Sequence, residues 1–435
     1  MPNFNDAQLY EIARMKYETL MTDGSVRKND VLRATLPYLN RAPDPVIAEA
    51  IRIAFVDKKL YEFRKRENAA AFVNAEADGS LEAKLKTTFG LRKAVVIKWP
   101  PDGTALPADA NEEDDLRAEV LGAAMARVLA DAPDHGDRIG IAGGRCCYGA
   151  ALVFRSVFAN QTAEGVHVYA LAGNFNVRSK AAREKNVGLD SSLNAYRLTN
   201  AWPDIFCYIE PLLAPALIAD DARLRTYKAD TWLGKHGLGK PNVGIVGLGG
   251  LLNSTADLSN FGRGLVDIAR MSGDEKLIKR LELVMTLCKE SLAQTPADKP
   301  PYQMISDCAN RLCVVPPPPG YNADPKHLNE ARAAVEAINK HLLVVSEADL
   351  LAMELNVVAG GLSKSVALHA LLRHPGVTLG RPQSTAKPVR VLCTDSDCAQ
   401  ALLALDAEAK KVPALAVPAA PPPARTPRRG PRSRR

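Results

Sequence analysis

Short apolar runs rich in valine and isoleucine alternate with helical patterns from about residue 81 to residue 405 of this 435-residue chain. Buried parallel strands are apolar on both faces, and each connection between two of them needs a crossover, usually a helix. The alternation therefore predicts the α/β class with an open, mainly parallel sheet. Strands are expected at 94–99, 138–143, 166–173, 203–209, 242–249, 311–316, 341–345, 356–361 and 389–394, and the expected helices include 111–132, 274–294 and 327–339.

Ligands of such sheets bind where a strand ends and a helix begins. The stretch IGIAGGRCCYGAAL has this form, because a strand runs into Gly143 and Gly144 and a small-residue helix follows. Glycine amides and a helix N-terminus attract anions, and Arg145 can add a bidentate contact to a phosphate or carboxylate. A tight turn with a solvated arginine is the alternative interpretation.

Two further strand ends carry candidate ligand-binding residues. VYALAGNFNVRSK places Asn174 and Arg178 after a strand, and NVGIVGLGG places Gly249 at the end of another. The last stretch lacks GxGxxG spacing, and no acidic residue completes a dinucleotide fingerprint, so no nucleotide cofactor is expected.

The C-terminal third contains the most informative pair of stretches. In LNVVAGGLSKSVALHALL, Lys364 follows a glycine pair at the start of a helix, and in VRVLCTDSDCAQ a strand ends at Asp395. Lys364 is either an anion-binding residue or part of a solvated first turn. Asp395 is either a ligand-binding residue or a helix cap, which is the commoner role of aspartate there.

Residues 1–68 show helical periodicity with short breaks, including an N-cap signal at Asp44 followed by Pro45. Three short helices suit a helix-turn-helix DNA-binding domain and equally another small helical bundle. Residues 69–80 are interpreted as a linker. The candidate DNA-binding residues are Arg41, Arg52, Lys58 and Lys59.

The formal charge of +7 is located at the C-terminus. Residues 411–435 contain seven basic and no acidic residues, so the preceding part sums to zero. Residues 407–435 are rich in proline, alanine and arginine, and such a segment cannot form a packed core. It is either a solubilising end or a segment that attracts phosphate backbones.

Several other classes of protein are not supported by the sequence. The chain has no GxSxG, Walker or HExxH motif, and its eight cysteines form no CxxC pair, so neither a catalytic triad nor a metal site is expected. Membrane-length apolar runs and a secretion signal are also absent, which favours a cytoplasmic protein with reduced thiols.

The glycine-lysine stretch at 357–377 together with VRVLCTDSDCAQALLAL is similar to the end of the sugar-binding domain of SorC/DeoR-type bacterial transcription regulators. LEAKLKTTFGLRKAVVIKW, RIGIAGGRCCYGAAL and NVGIVGLGG resemble earlier parts of that domain in the same order, so the resemblance covers about residues 81–406.

The resemblance implies a helix-turn-helix reader joined to an effector domain related to sugar-phosphate isomerases and deaminases. The implied partners are operator DNA, a sugar or sugar-phosphate effector and further copies of the chain in a dimer or tetramer. Gly143, Gly144 and Lys364 would lie near the phosphate, and Asp395 near the position of the enzymes' polar groups. Arg145 and Cys146 stand where the family commonly has small hydroxyl residues, which is a departure.

Two alternatives to a ligand-responsive regulator stay open. An isomerase or deaminase would use Asp395 and Lys364 for acid–base chemistry, although no histidine accompanies them in the motifs. A relative without DNA binding would explain the nearly neutral N-terminal region.

Overall fold

The computed structural model describes residues 76–101, 110–130, 137–157, 166–175, 190–199, 208–212, 214–234 and 239–411, together with a few isolated positions. The expected helical domain at 1–68 and the basic segment after Lys411 lie essentially outside these residues. Among the helices that are described, none is long and apolar enough to cross a membrane.

The described residues form a sheet of nine strands, and the prediction of an open, mainly parallel α/β sheet is confirmed. In chain order they are β1 Lys93–Ile97, β2 Arg138–Ile141, β3 His167–Ala170, β4 Tyr208–Glu210, β5 Val243–Gly250, β6 Ile305–Cys308, β7 Arg311–Val314, β8 Glu354–Val358 and β9 Val389–Asp395.

The strand order is β1-β9-β8-β5-β2-β3-β4, with every neighbouring pair parallel. The chain builds outward from β2 through β3 to β4, then returns to β5 and builds the other way through β8 to β9. The strand order therefore reverses between β2 and β5. In open α/β sheets, the crevice at such a reversal is the usual ligand site.

Twelve helices lie within the described residues. They are α1 Gly79–Phe89, α2 Ala110–Ala130, α3 Arg145–Val157, α4 Ser191–Thr199, α5 Asp221–Asp230, α6 Asn260–Ser272, α7 Glu275–Ala293, α8 Pro325–Asn339, α9 Glu347–Ala352, α10 Leu362–Arg373, α11 Pro375–Thr378 and α12 Ser396–Lys411.

Two expectations about strands need correction. The run 341–345 forms no strand; Leu342 and Val344 make only isolated bridges, to Leu217 and Ala172. Conversely, β6 was not expected, because ISDC is too short and too polar to stand out. It pairs antiparallel with both β5 and β7, and this hairpin extends from the end of the central strand.

Two clusters of buried apolar side chains hold the fold together. The larger joins the parallel sheet to α1, α2, α3 and α12, and the smaller packs α6, α7 and α8 around the β6–β7 hairpin. The segment 76–78 already pairs with β1, because Ala77 bridges Ile97 and the Lys98 amide donates to Glu76 at 3.0 Å. The described residues just before α1 therefore already belong to the packed unit.

A close crossing of α2 and α3 positions the start of α3. A Cβ added to Gly122 of α2 would meet the backbone of Gly149 and Ala150 at 2.7 Å, so only glycine allows this approach. The approach brings the first turn of α3 beside the first two turns of α2.

Candidate functional site

A cavity of about 110 Å³ lies at the carboxyl ends of β2, β5 and β8, at the reversal of strand order. Its wall combines the turn after β2, the end of β5, the glycine turn after β8, the first half of α2, the starts of α6 and α10, and the β6–β7 hairpin. These segments are far apart in sequence, and only the completed sheet brings them together.

The turn after β2 contributes Gly143 and Gly144 to this wall. Gly144 has φ +130°, a conformation that other residues rarely adopt, and α3 begins immediately after it. The Gly143 amide donates to Asn310 Oδ1 at 2.7 Å. The β6–β7 hairpin is thereby fastened to the start of α3.

Arg145 lines the cavity, but its charge is compensated by α2. Its Nη1 lies 2.7 Å from Asp115 Oδ1 and its Nη2 lies 3.4 Å from Asp114 Oδ2. Burial opposes the charge of Arg145, but the hydrogen bond to Asp115 and the nearby Asp114 hold its pKa above the ordinary value. Arg145 therefore joins α3 to α2 as well as bordering the cavity.

Lys364 lies in the first turn of α10 and borders the same cavity. Across the described part of the chain, no carboxylate lies within ion-pair distance of its ammonium group. Burial lowers the pKa of Lys364, and Asp114 and Asp307 oppose that effect from a distance. Partial burial of an ammonium group without a direct partner carries a desolvation cost, and an anionic ligand would offset that cost.

Asp395 lies behind the cavity rather than in its wall. Its Oδ2 accepts from the Gly361 amide at 2.6 Å and contacts Arg117 Nη1 at 3.0 Å, while its Oδ1 accepts from the Cys398 amide at 2.9 Å. One fully buried carboxylate thus caps α12, holds the turn before α10 and orients Arg117. The helix-cap interpretation describes its contacts, and a direct role in ligand binding stays a prediction.

Arg117 is a cavity residue that the sequence did not indicate. Besides Asp395 it pairs with Glu113 at 2.8 Å and Asp397 at 3.3 Å, and its guanidinium lies 4.3 Å from the ring centre of Trp99. Its charge is therefore fully engaged by the protein.

Asp307 and Asn310 of the β6–β7 hairpin are further cavity residues that the sequence did not indicate. Ala309 and Asn310 have φ of 54° and 64°, so the two central residues of the turn are both left-handed, as in type I′ hairpins. Burial raises the pKa of Asp307 to about 7, with Lys364 opposing the effect. The only sequence feature that indicates this hairpin turn is an asparagine between two short apolar runs, and Ala-Asn is not a usual residue pair for a type I′ turn.

Of the remaining predicted residues, some line the cavity and others lie elsewhere or outside the described residues. Cys146 and Gly249 line the cavity, and burial raises the pKa of the Cys146 thiol to about 11, so it is neutral at physiological pH. Asn174 lies elsewhere, bridging Pro215 beside β3. Arg178 and the four candidate DNA-binding residues, Arg41, Arg52, Lys58 and Lys59, lie outside the described residues.

The side chains that border the cavity are suited to an anion and to hydroxyl groups. Lys364 suits an anionic group, whereas Asp114 and Asn310 supply oxygen acceptors for hydroxyl groups. Within the described ranges, no group of three or more histidine, cysteine, aspartate or glutamate side chains is placed to hold a metal ion.

Comparison with known proteins identifies only distant structural neighbours. No family model matches the chain, and no curated protein matches it. The full-length sorbitol operon regulator SorC from Klebsiella pneumoniae is 17% identical over 88% of this chain and 100% of its own, with a TM-score of 0.47. A DeoR family transcriptional regulator from Listeria monocytogenes is 19% identical over 74% of this chain and 98% of its own (TM-score 0.43), and a transcriptional regulator from Streptococcus pneumoniae is 15% identical over 75% and 97% (TM-score 0.48).

Proposed function

We propose that the chain is a transcription regulator whose α/β domain binds a small anionic, sugar-like ligand that modulates operator binding by the N-terminal helices. The observation that carries the ligand-binding part of the proposal is Lys364, a cation without a direct partner among the described residues, which borders a cavity at the reversal of strand order. The DNA half rests on the helical pattern of residues 1–68 and on the family resemblance of the sequence motifs.

The size and polarity of the cavity support a small polyhydroxylated ligand. Sites for drug-sized molecules and cofactors occupy roughly 300–1,000 Å³, and this cavity of about 110 Å³ is smaller. A phosphorylated sugar would present its anionic group to Lys364 and its hydroxyl groups to Asp114 and Asn310.

Replacing Lys364 tests the ligand half. A thermal-shift screen against sugar phosphates and the matching unphosphorylated sugars should find a phosphorylated ligand that stabilises the wild-type protein. Lys364→Ala should weaken binding of that ligand by about 1.5–3 kcal/mol, the contribution of a charge-assisted hydrogen bond.

Lys340→Ala is the matched control, because it removes an exposed lysine that is paired with Glu336 on α8, away from the cavity. This control should bind like the wild type. Equal stabilisation of the wild type and Lys364→Ala by the ligand would contradict the assignment of Lys364.

A gel shift with the promoter region of the protein's own gene tests the DNA half. We expect a salt-sensitive, sequence-preferring complex whose affinity changes when the ligand is added. A dimer or tetramer, visible by light scattering, would place two helix pairs at half-sites one helical turn apart. If no such complex forms, the DNA half is wrong and the ligand half stands by itself.

An acid–base enzyme is the second candidate function, and Asp307 is the observation that favours it. A buried carboxyl with a pKa of about 7 suits general acid–base catalysis near neutral pH. Asp395 is less suited, because both of its oxygens accept hydrogen bonds from the protein. Turnover of a hexose or pentose phosphate that Asp307→Asn abolishes would favour this function over the regulator.

A further inference from the structure

Asp307 and Lys364 are two oppositely charged residues that border one cavity, and neither has a charged group of the described residues within ion-pair distance. Asp307 is 6% exposed. Its Oδ2 accepts from the Asn310 amide at 3.2 Å, and no described residue donates a hydrogen bond to its Oδ1. This carboxyl oxygen is therefore left available to a ligand that fills the cavity.

The backbone fixes the position of the Asp307 carboxyl. Asp307 stands opposite Gly249 in the β5–β6 register, and its carboxyl group occupies the space that a Cβ at position 249 would need. The left-handed turn at Ala309 and Asn310 places the Asn310 amide where it donates a hydrogen bond to the Asp307 carboxyl. The carboxyl is thus held over the end of the central strand.

The ionisable surroundings of Asp307 leave Lys364 as the cation that stabilises its charged form. The other ionisable groups on the elements around it include Asp114 and Arg117 of α2, Arg145, Cys146 and Cys147 of α3, Cys288 of α7, and Cys308, Arg311 and Cys313 of the hairpin. Arg117 is engaged by Glu113, Asp395 and Asp397. Burial raises the pKa of each of these cysteines, so they are neutral near pH 7. Arg145 is already engaged by Asp114 and Asp115.

We propose that Asp307 is a ligand-contacting residue that binds the anion held by Lys364 as the neutral acid, donating a hydrogen bond from its carboxyl to the anion. Where Asp307 is ionised in the free protein, up to one proton is then taken up for each anion bound. This inference rests on the proposed anion-binding function and deepens it, because it names a residue and a protonation state that select the ligand.

The physical reason is the balance of charge around Asp307. An anion that pairs with Lys364 cancels the attraction that the ammonium exerts on the carboxylate, and it adds a repulsion of its own. Both effects raise the pKa of Asp307 further above about 7. Anion binding is therefore strongest below about pH 7 and weakens as the pH rises, by up to about tenfold for each pH unit.

Sulfate is the probe of choice, because its charge is constant near neutral pH, whereas phosphate itself titrates there. Sulfate affinity is measured from thermal stabilisation at about pH 6, 7 and 8, with chloride added to match ionic strength. The wild type should lose affinity as the pH rises. Asp307→Asn should bind sulfate equally at all three values, because the amide group donates a hydrogen bond at every pH.

Lys364→Arg is the matched control for titration of the lysine. A guanidinium stays charged throughout this range, so this variant should keep the wild-type pH dependence if Asp307 is the titrating group. A pH dependence that disappears in Lys364→Arg and persists in Asp307→Asn would overturn the proposal, and so would a wild-type affinity that is independent of pH.

Failure of the proposed function gives a different result. In that case, sulfate would stabilise neither the wild type nor Asp307→Asn at any pH, and both proposals would be wrong. If Asp307→Asn does not fold, proton uptake by the wild type provides the test. Neutral sodium sulfate is added to weakly buffered protein near pH 8, and the pH should rise. The rise should correspond to the uptake of about one proton per bound anion.

Discussion

A positive charge in the first turn of a helix opposes the helix dipole, and Lys364 is such a charge. Six of the nine predicted ligand-binding residues border the cavity: Gly143, Gly144, Arg145, Cys146, Gly249 and Lys364. They could be predicted because each follows a strand locally in the sequence. Arg117, Asp307 and Asn310 could not, because their places depend on helix crossing and on antiparallel pairing between distant segments.

Gly249 gives a residue-scale prediction about the carboxyl that lies over it. Gly249→Ala would place a Cβ against the Asp307 carboxyl, so we expect a loss of about 1–3 kcal/mol in the free energy of unfolding and weaker anion binding. Gly247→Ala is the control in the same strand, since its added Cβ would meet no atom closer than 3.9 Å.

Urea unfolding and sulfate titration of both variants make the comparison. If the two variants have equal stability and equal anion affinity, the position of the Asp307 carboxyl does not depend on the absence of a side chain at residue 249.

At the scale of elements, strands with strong apolar runs were predictable and the weakest ones were not. The observed β5, β8 and β9 overlap the expected runs, whereas β6 has too few apolar residues to be recognised. The run 341–345 has strand composition, but its residues form bridges to loop segments instead of joining the sheet. Composition reports that a segment is buried, and only the tertiary fold decides its pairing partner.

The packing of α10 against α12 gives an element-scale prediction about pH. His369 of α10 is buried, and burial lowers its pKa from the ordinary 6.5 to about 4. Its Nε2 lies 3.9 Å from Asp406 Oδ1, but that carboxylate already pairs with Arg373 and Lys410. The folded state therefore holds His369 neutral, while the unfolded chain takes up a proton below pH 6.5.

His369 therefore does not reduce the free energy of unfolding above about pH 6.5. As the pH falls from 6.5 towards 4, proton uptake by the unfolded chain lowers that free energy. Between about pH 6.5 and 5 the wild type should lose about 2 kcal/mol relative to His369→Leu, which has no group to titrate there. Comparing the two proteins by urea unfolding at each pH cancels the opposite contribution of Asp307. Parallel pH profiles would mean that His369 has the same pKa in the folded protein as in the unfolded chain.

At the scale of the whole molecule, the α/β class followed from the alternation of patterns, but the strand order did not. Local sequence indicates where a strand lies and says little about which distant strand is its neighbour. The reversal of order between β2 and β5, which places the cavity, became visible only in the structure. The proposed DNA contacts and the basic C-terminal segment belong to parts that only the sequence describes.

Deleting residues 412–435 tests the C-terminal segment and leaves α12 whole. The deletion removes six arginines, so we expect weaker nonspecific DNA binding and a shallower dependence on salt, by about 0.9 in the log–log slope for each arginine that contacts a phosphate. Fluorescence anisotropy across a salt series measures this slope. Ligand-induced thermal stabilisation should be unchanged in the same variant, and an unaltered slope would leave the segment without a role in DNA binding.

The position of β9 has a consequence for synthesis of the chain. Among the described strands, β1 pairs only with β9, as in the Lys93–Val391 register, and β9 also pairs with β8. During translation, β1 waits without its sheet partner until almost 300 further residues have left the ribosome. Contacts this distant slow folding and leave an unpaired edge exposed meanwhile. The nascent protein is therefore most prone to aggregation just before its last strand emerges, and a chain that stops short of β9 cannot complete its sheet.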